Sequence, residues 1–365
     1  MRVLEKKVIA ARVLLRLRTY AGLIAHAVRT RPRDLMSGEA VARIRTCGCL
    51  NPPRRKCDRC AARGGDGLFV ACSLACLRRH LKTAHNVTQS SIERIADRQK
   101  LANRHTRSYR ERYADHRRHL MALLANVGGG PDIAILGAGN CADLDPEQLA
   151  RNFSTIHLFD LDGEALERAR ESFAAPARSH VMTHSGFDLS GLLGRFDEWG
   201  ERFPDAAGLQ RAAAEAIHTL LRRIRQKFHV VLSDCILSQL LVPYRQHWLQ
   251  PDPTWNLLSE AITGIHLATV GGSIVEGGHG IIAFDVVDSS VAPELQGMSP
   301  DDEDALEEVV YELSARGSIV HPSEMVRRLS SPALAPFIEA PRLTRPWLWN
   351  TGVTQLVYGL SFDRR

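Results

Sequence analysis

Six of the eight cysteines fall within thirty residues, as Cys47-x-Cys49, Cys57-x-x-Cys60 and Cys72-x-x-x-Cys76, and His80 and His85 follow them. Thiolate and imidazole pairs at these gaps suit tetrahedral zinc, and eight ligands are enough for two ions. Thiolates crowded this closely are costly to desolvate and prone to oxidation without a metal. Zinc holds them with no redox chemistry and supplies folding energy that so small a unit lacks. A metal here is therefore structural, and a single zinc with spare ligands satisfies the same spacing. Cys72, Cys76 and His80 stand four apart, so on a helix they project from one side of successive turns.

A second constellation begins at Leu136-Gly137-Ala138-Gly139-Asn140-Cys141-Ala142, and Asp160 lies 21 residues beyond Gly139. Glycine at 137 permits a tight turn after a strand, and glycine at 139 lets a ligand approach the backbone. A carboxylate ending the next strand is placed to accept hydrogen bonds from ribose hydroxyls. The loop alone reads equally as a ligand-free strand-to-helix turn; the paired acid favours a nucleotide-derived cofactor, either NAD or S-adenosylmethionine.

The elements that must position these residues can be read from apolar patterning. Ile133–Leu136, Ile156–Phe159, His180–Thr183, Phe228–Leu232 and Ile281–Val287 are short aliphatic runs that alternate with helical patterns, which predicts a parallel α/β sheet. Gly191–Lys227 is longer than a minimal crossover and predicts one or two inserted helices, with a lid as one use for them. Upstream, Ser91 to Val127 reads as a basic helical stretch ending at Gly128-Gly129-Gly130. Tyr109, Tyr113 and His116 share a face there and suit core packing or cover over a cofactor. Residues 1–33 pattern as a basic amphipathic helix without the serine enrichment of a transit peptide.

Charge divides the chain. Residues 1–118 hold 28 basic and 9 acidic side chains, a net of +19, whereas the remainder holds 19 and 32, a net of −13. Such asymmetry suits a basic half that meets an anionic partner or leans on the acidic half. No run approaches 18 apolar residues, and the clustered cysteines do not suit a secreted disulfide framework, so a membrane-spanning protein and a stapled extracellular domain are both excluded and a cytoplasmic location is expected.

From Asp132 onward the chain resembles the class I S-adenosylmethionine-dependent methyltransferases. The resemblance runs through the glycine loop, Ile156-His157-Leu158-Phe159-Asp160-Leu161-Asp162, Ser185-Gly186-Phe187-Asp188, Val230-Val231-Leu232-Ser233-Asp234, Gly271-Gly272, and a hairpin of Pro346–Trp349 with Gln355–Phe362. It implies a seven-stranded sheet with helices on both faces, the last strand antiparallel to the rest. It also implies cofactor contacts from Gly137, Ala138, Gly139, Asp160, Leu161, Asp188, Ser233 and Asp234. Asp160 would serve the ribose, Asp188 the adenine amino group, and Asp234 would border the transferred methyl. Asp162 and Asp188 suit helix caps equally well. Ile135 and Cys141 depart from the family pattern, and Cys141 and Cys235 read most simply as buried small residues.

Ser233-Asp234-Cys235-Ile236-Leu237-Ser238-Gln239 stands where amino-group nucleic-acid methyltransferases carry an Asn-Pro-Pro-Tyr type motif. Asp234, Ser238 and Gln239 are the catalytic candidates, with Tyr244, His247 and Trp248 beside them.

Val70 to His80 resembles the MYND and HIT zinc fingers, which implies one zinc on Cys47, Cys49, Cys72 and Cys76 and another on Cys57, Cys60, His80 and His85. The single-residue gap of the first pair and the final histidine depart from that pattern. The expected organisation is a basic helical segment (1–45), a zinc finger (46–88), a basic helical linker covering the catalytic domain (89–130) and a methyltransferase domain (131–365) with a helical insertion at 191–227. The expected activity is methylation of a macromolecule, protein favoured slightly over RNA. The alternatives are a noncatalytic zinc-finger adaptor, a small-molecule methyltransferase and, more remotely, a nicotinamide enzyme.

Overall fold

The computed structural model describes residues 91–199, 203–245, 253–300, 302–332 and 334–365, together with 45–46, 55–56, 69–71 and Cys76. The chain divides into two compact units, Met1–Val87 and Thr88–Arg365. In the first, β1 (Arg45–Thr46), β2 (Arg55–Lys56) and β3 (Phe69–Ala71) form a small sheet with β3 in the middle, parallel to β1 and antiparallel to β2. The expected amphipathic helix at 1–33 lies outside the described residues.

The second unit opens with α1 (Ser91–His105) and α2 (Ala114–Val127), separated by a 3-10 turn at Thr106–Ser108. The expected single helical stretch is thus two helices. The chain then runs β4 (Gly130–Leu136), α3 (Pro146–Asn152), β5 (Phe153–Phe159), α4 (Gly163–Glu171), α5 (Ala175–Arg178), β6 (Val181–His184), α6 (Leu193–Trp199) and α7 (Ala206–Ile224). It continues through β7 (Phe228–Asp234), α8 (Ile236–Arg245), α9 (Pro253–Gly272), β8 (Ile274–Asp288), α10 (Glu303–Ala315), α11 (Ser323–Leu329), β9 (Ile338–Leu343), β10 (Trp347–Asn350) and β11 (Thr354–Arg364).

The strands form one sheet in the order β10-β11-β8-β7-β4-β5-β6. The five strands from β8 to β6 run parallel, and β11 is antiparallel to β8. Eight strands stand where seven were expected, because the edge beyond β11 is built from two pieces: β9 and β10 pair with successive stretches of it. The break falls at Thr344-Arg345-Pro346, where proline has no N–H to offer a ladder and the Thr344 hydroxyl takes the Gly359 N–H instead.

Alternation along the strands sorts their side chains to two covered faces. Ile133, Ile135, Ile156, Leu158, Val230, Leu232, Ile281 and Ala283 join a core with Leu120 and Leu124 of α2, Leu149 of α3 and Leu166 of α4. The opposite face is covered by α9, which packs on α7. Within 191–227, α7 is part of this covering layer: Leu209, Ala212, Ala216, Leu220 and Ile224 bury one stripe of it. Among the described residues, no helix is long and apolar enough to cross a membrane.

Candidate functional site

The chain order reverses between β4 and β7. From β4 it steps outward to β5 and β6, and from β7 it steps the other way to β8. Ligands of open parallel sheets bind beyond the carboxyl ends of the strands at such a point, and there the sequence places the glycine loop, Asp160 and Asp234.

The loop turns sharply after Leu136 because Gly137 and Gly139 hold φ of +80° and +47°. Its first amides point inward: the N–H groups of Gly137 and Ala138 both donate to Phe159 O, at 2.9 and 3.1 Å. The Gly139 N–H donates to Asp160 Oδ2 at 3.0 Å, and the Asp162 N–H donates to Asp160 Oδ1 at 2.8 Å. Asp160 thereby ties the loop to the tip of β5 and keeps lone pairs on both oxygens. Burial lifts its carboxyl to about 6, against backbone hydrogen bonds that pull it down.

Asp162 caps α4, accepting from the N–H groups of Glu164 and Ala165 at 3.0 and 3.3 Å. Buried Asn103 of α1 donates to the other Asp162 oxygen at 2.9 Å, and its carbonyl accepts from the Asn140 side chain at 2.7 Å. Helix α1 is thus fastened over the loop. Asp188 accepts from the Ser190 N–H and hydroxyl and from the Leu193 N–H, so it anchors the start of α6. Between these groups lies a small cleft lined by Asp160, Leu161, Phe187, Asp188, Ile236 and Gln239 among others.

The remaining predicted residues separate. Ser233 points to the opposite face of β7 and bonds His266 of α9 at 2.7 Å. Gln239 lines the cleft and donates to the Cys235 carbonyl at 3.1 Å, and the Ser238 hydroxyl bonds Asp285 of β8. Only the helical backbone of Tyr244 is described, and His247 and Trp248 lie outside the described residues. So do Cys47, Cys49, Cys57, Cys60, Cys72, His80 and His85, while Cys76 is half-buried in a helical position.

Asp234 sits in a buried polar cluster that sequence patterning did not disclose. His116 Nε2 is 3.3 Å from Asp234 Oδ1, the Trp347 indole donates to His116 Nδ1 at 2.9 Å, and Asp143 hydrogen-bonds Asp234 carboxyl to carboxyl. Burial raises Asp234 to about 7, pushes Asp143 up further beside it, and lowers His116 to about 4. His116 also stacks on Trp349, and Tyr113 meets that ring edge-on. On the same side Asp285 Oδ1 and Trp349 Nε1, an acceptor and a donor, are buried without a hydrogen-bond partner among the described residues, and buried polar groups are ordinarily paired.

Among the described residues His116, Asp234 and Cys235 are close enough to share a metal ion. The hydrogen bond on the far side of the His116 ring opposes it. A histidine that ligates through Nε2 carries its proton on Nδ1 and donates it, whereas Nδ1 here faces an indole N–H, which can only donate.

The loop geometry also separates the two candidate cofactors. A dinucleotide pyrophosphate needs outward amides and a helix N-terminus directly after the glycines. Here the amides are spent on Phe159 and Asp160, and α3 starts only at Pro146 with the Asp145 carboxylate occupying its N–H groups. The loop therefore offers no pyrophosphate site, and the acid at the β5 tip lines the cleft beside it.

No family model and no curated protein matches the chain by sequence. Similar solved structures include the N-methyltransferase NodS of Bradyrhizobium japonicum WM9, at a TM-score of 0.33 and 11% identity over 70% of this chain and 97% of that one. The YcgJ protein of Bacillus subtilis scores 0.35 at 12% identity over 69% and 99%. A geranyl diphosphate methyltransferase in complex with S-adenosylmethionine scores 0.35 at 11% identity over 69% and 85%. Likeness at these scores carries no weight for fold or activity.

Proposed function

We propose that the chain is an S-adenosylmethionine-dependent methyltransferase. One observation carries the reading: at the switch point of the sheet, Asp160 fastens a glycine loop whose amides are turned away from any phosphate, beside a cleft open to solvent. Bound S-adenosylmethionine would supply an electrophilic methyl group. The chain's part is then to hold and orient: Asp160 keeps lone pairs for ribose hydroxyls, Leu161 and Phe187 flank the base, and Asp234 stands at the end of β7 toward the acceptor. In-line displacement draws much of its acceleration from such positioning.

The substrate is a macromolecule, protein in preference to RNA. The Cys/His segment resembles fingers that mostly bind proteins, and the +19 half suits an anionic partner of either kind. Two zinc ions in that segment would be structural. A noncatalytic adaptor is the competing reading, favoured by the engagement of both Asp188 oxygens in anchoring α6.

Calorimetry on the zinc-loaded chain with S-adenosylmethionine, S-adenosylhomocysteine and NAD decides between them. Binding of the two sulfur compounds alone is expected. No binding by a folded chain selects the adaptor, and NAD binding alone refutes the site. Asp160→Ala is expected to abolish cofactor binding with zinc content unchanged, and retained affinity would remove Asp160 from the ribose site.

A further inference from the structure

The cluster around Asp234 has a polarity that its hydrogen bonds fix. An indole N–H has no acceptor, so His116 Nδ1, 2.9 Å from Trp347 Nε1, must be bare and the ring's proton must sit on Nε2. That Nε2–H is the donor toward Asp234 Oδ1. A second proton on Nδ1 would confront the indole hydrogen, so geometry and burial together keep the ring neutral. Two carboxyls in contact cannot both ionise, so once Asp234 has lost its proton, above about pH 7, Asp143 and Asp234 hold one proton between them. The Cys235 thiol also bonds Asp234. Every neighbour of the Asp234 carboxylate is then a neutral donor.

We propose that Trp347 and His116 are positioning residues that hold Asp234 as an oriented carboxylate, and that the Asp143–Asp234 pair takes up the proton released when an N–H or O–H acceptor is methylated. This rests on the methyltransferase reading. The acceptor's lone pair forms the bond to the methyl carbon as the carbon–sulfur pair returns to sulfur, and the acceptor's proton passes to Asp234. Both carboxyls are then protonated until solvent takes one proton back. The other ionisable groups coupled to the pair are Tyr113, leading into α2, Cys141 from the glycine loop and Cys235 after β7, while Asp285 from β8 acts on His116 and Cys235. Burial pushes the phenol and both thiols up, so none competes for the proton near neutrality. The Arg110 charge acts on the Cys141 thiol.

The test is NMR of the full zinc-loaded chain, labelled at histidine nitrogen and aspartate carboxyl carbon and free of cofactor, between pH 5 and 8. His116 is expected as the Nε2–H tautomer throughout, untitrated in that window. Trp347→Phe keeps a ring and removes the indole N–H; it is expected to mix the tautomers and bring His116 titration into the window. His116→Gln, which can still donate an N–H, is expected to keep the Asp234 carboxyl-carbon titration near its wild-type midpoint, whereas His116→Leu moves it. A wild-type His116 protonated on Nδ1 overturns the proposal without any variant, as does a Trp347→Phe spectrum unchanged at His116. These readouts need no cofactor. If the tautomer is as expected and calorimetry finds no S-adenosylmethionine binding, the methyltransferase reading fails, and the proton-accepting role fails with it while the fixed polarity stands.

Discussion

Gly137→Ala tests whether the turn after β4 needs glycine for its backbone, for its space, or for both. The added methyl would lie 2.9 to 3.0 Å from three side-chain atoms of Ile236, on a residue whose φ is +80°. Left-handed backbone costs an L residue about 1–2 kcal/mol. Overpacking a close-packed position costs about 1–3 kcal/mol more. Ile236 is 7% exposed and opens α8, so it has little room to retreat. The expected loss is therefore about 2–5 kcal/mol, the sum of the two.

Urea unfolding at constant m measures it. The steric share is isolated by repeating the substitution in an Ile236→Ala background, where only the backbone cost of about 1–2 kcal/mol should remain. A loss below about 0.5 kcal/mol, the size of an ordinary surface change, would refute both parts. An equal loss in both backgrounds would refute the contact with Ile236 alone.

Three further outcomes are expected. Burial raises Asp234 from 3.8 to about 7, so its contribution to stability is complete below about pH 4 and is lost as pH climbs through 7; His116, lowered to about 4 from 6.5, acts in the opposite sense as pH falls. Asp234→Asn should therefore gain on the wild type as pH rises from 5 to 8, by up to about 1.4 kcal/mol per pH unit, and parallel urea midpoints across that range would refute it. Asp162→Ala loses the α4 cap and strands the Asn103 amide, for about 2–4 kcal/mol in thermal or urea unfolding; Asp162→Asn should recover much of it, and a loss under about 0.5 kcal/mol would deny the cap its role. Metal analysis of the whole chain should find two zinc ions, and one after Cys57→Ser; a single zinc in the wild type rejects the paired sites.

How far the sequence disclosed this arrangement depended on how local each feature is. The strands at Ile133–Leu136 and Phe228–Leu232 were legible because strands covered on both faces read as unbroken aliphatic runs. The structure extends them to Gly130 and Asp234, since polar ends carry no such signal. The loop and Asp160 were legible because glycine and a strand-tip acid are local marks. That Asp162 could cap a helix was legible too, whereas Asn103, which fastens α1 onto that cap, carried no mark. The Asp234 cluster was not legible: Trp347 bonds His116 across 231 positions, and Asp143 follows the loop as an ordinary acid. Ser233 shows the limit of carrying a motif across position by position, since a strand's alternation sends neighbours to opposite faces.

Two cysteines that looked like plain buried residues hold this site's backbone in shape. Cys141 and Cys235 lie just past β4 and β7, the strands that adjoin at the switch point, and both adopt left-handed φ, +49° and +45°. Each conformation costs about 1–2 kcal/mol for a side-chain-bearing residue. Such strain persists only where the surroundings over-determine it, and it gathers at functional sites. Here Cys141 N–H is held by Ala138 O at 2.8 Å and Cys235 N–H by Ala283 O at 3.0 Å, and both side chains are 1% exposed in the main core. Glycine would relax either backbone but leave a buried void where sulfur now packs. The chain bends at Cys141 shortly before Asp143 and at Cys235 directly after Asp234. Two strained turns on neighbouring strands thus bring two carboxyls from separate segments into contact, and a shared proton follows from that contact.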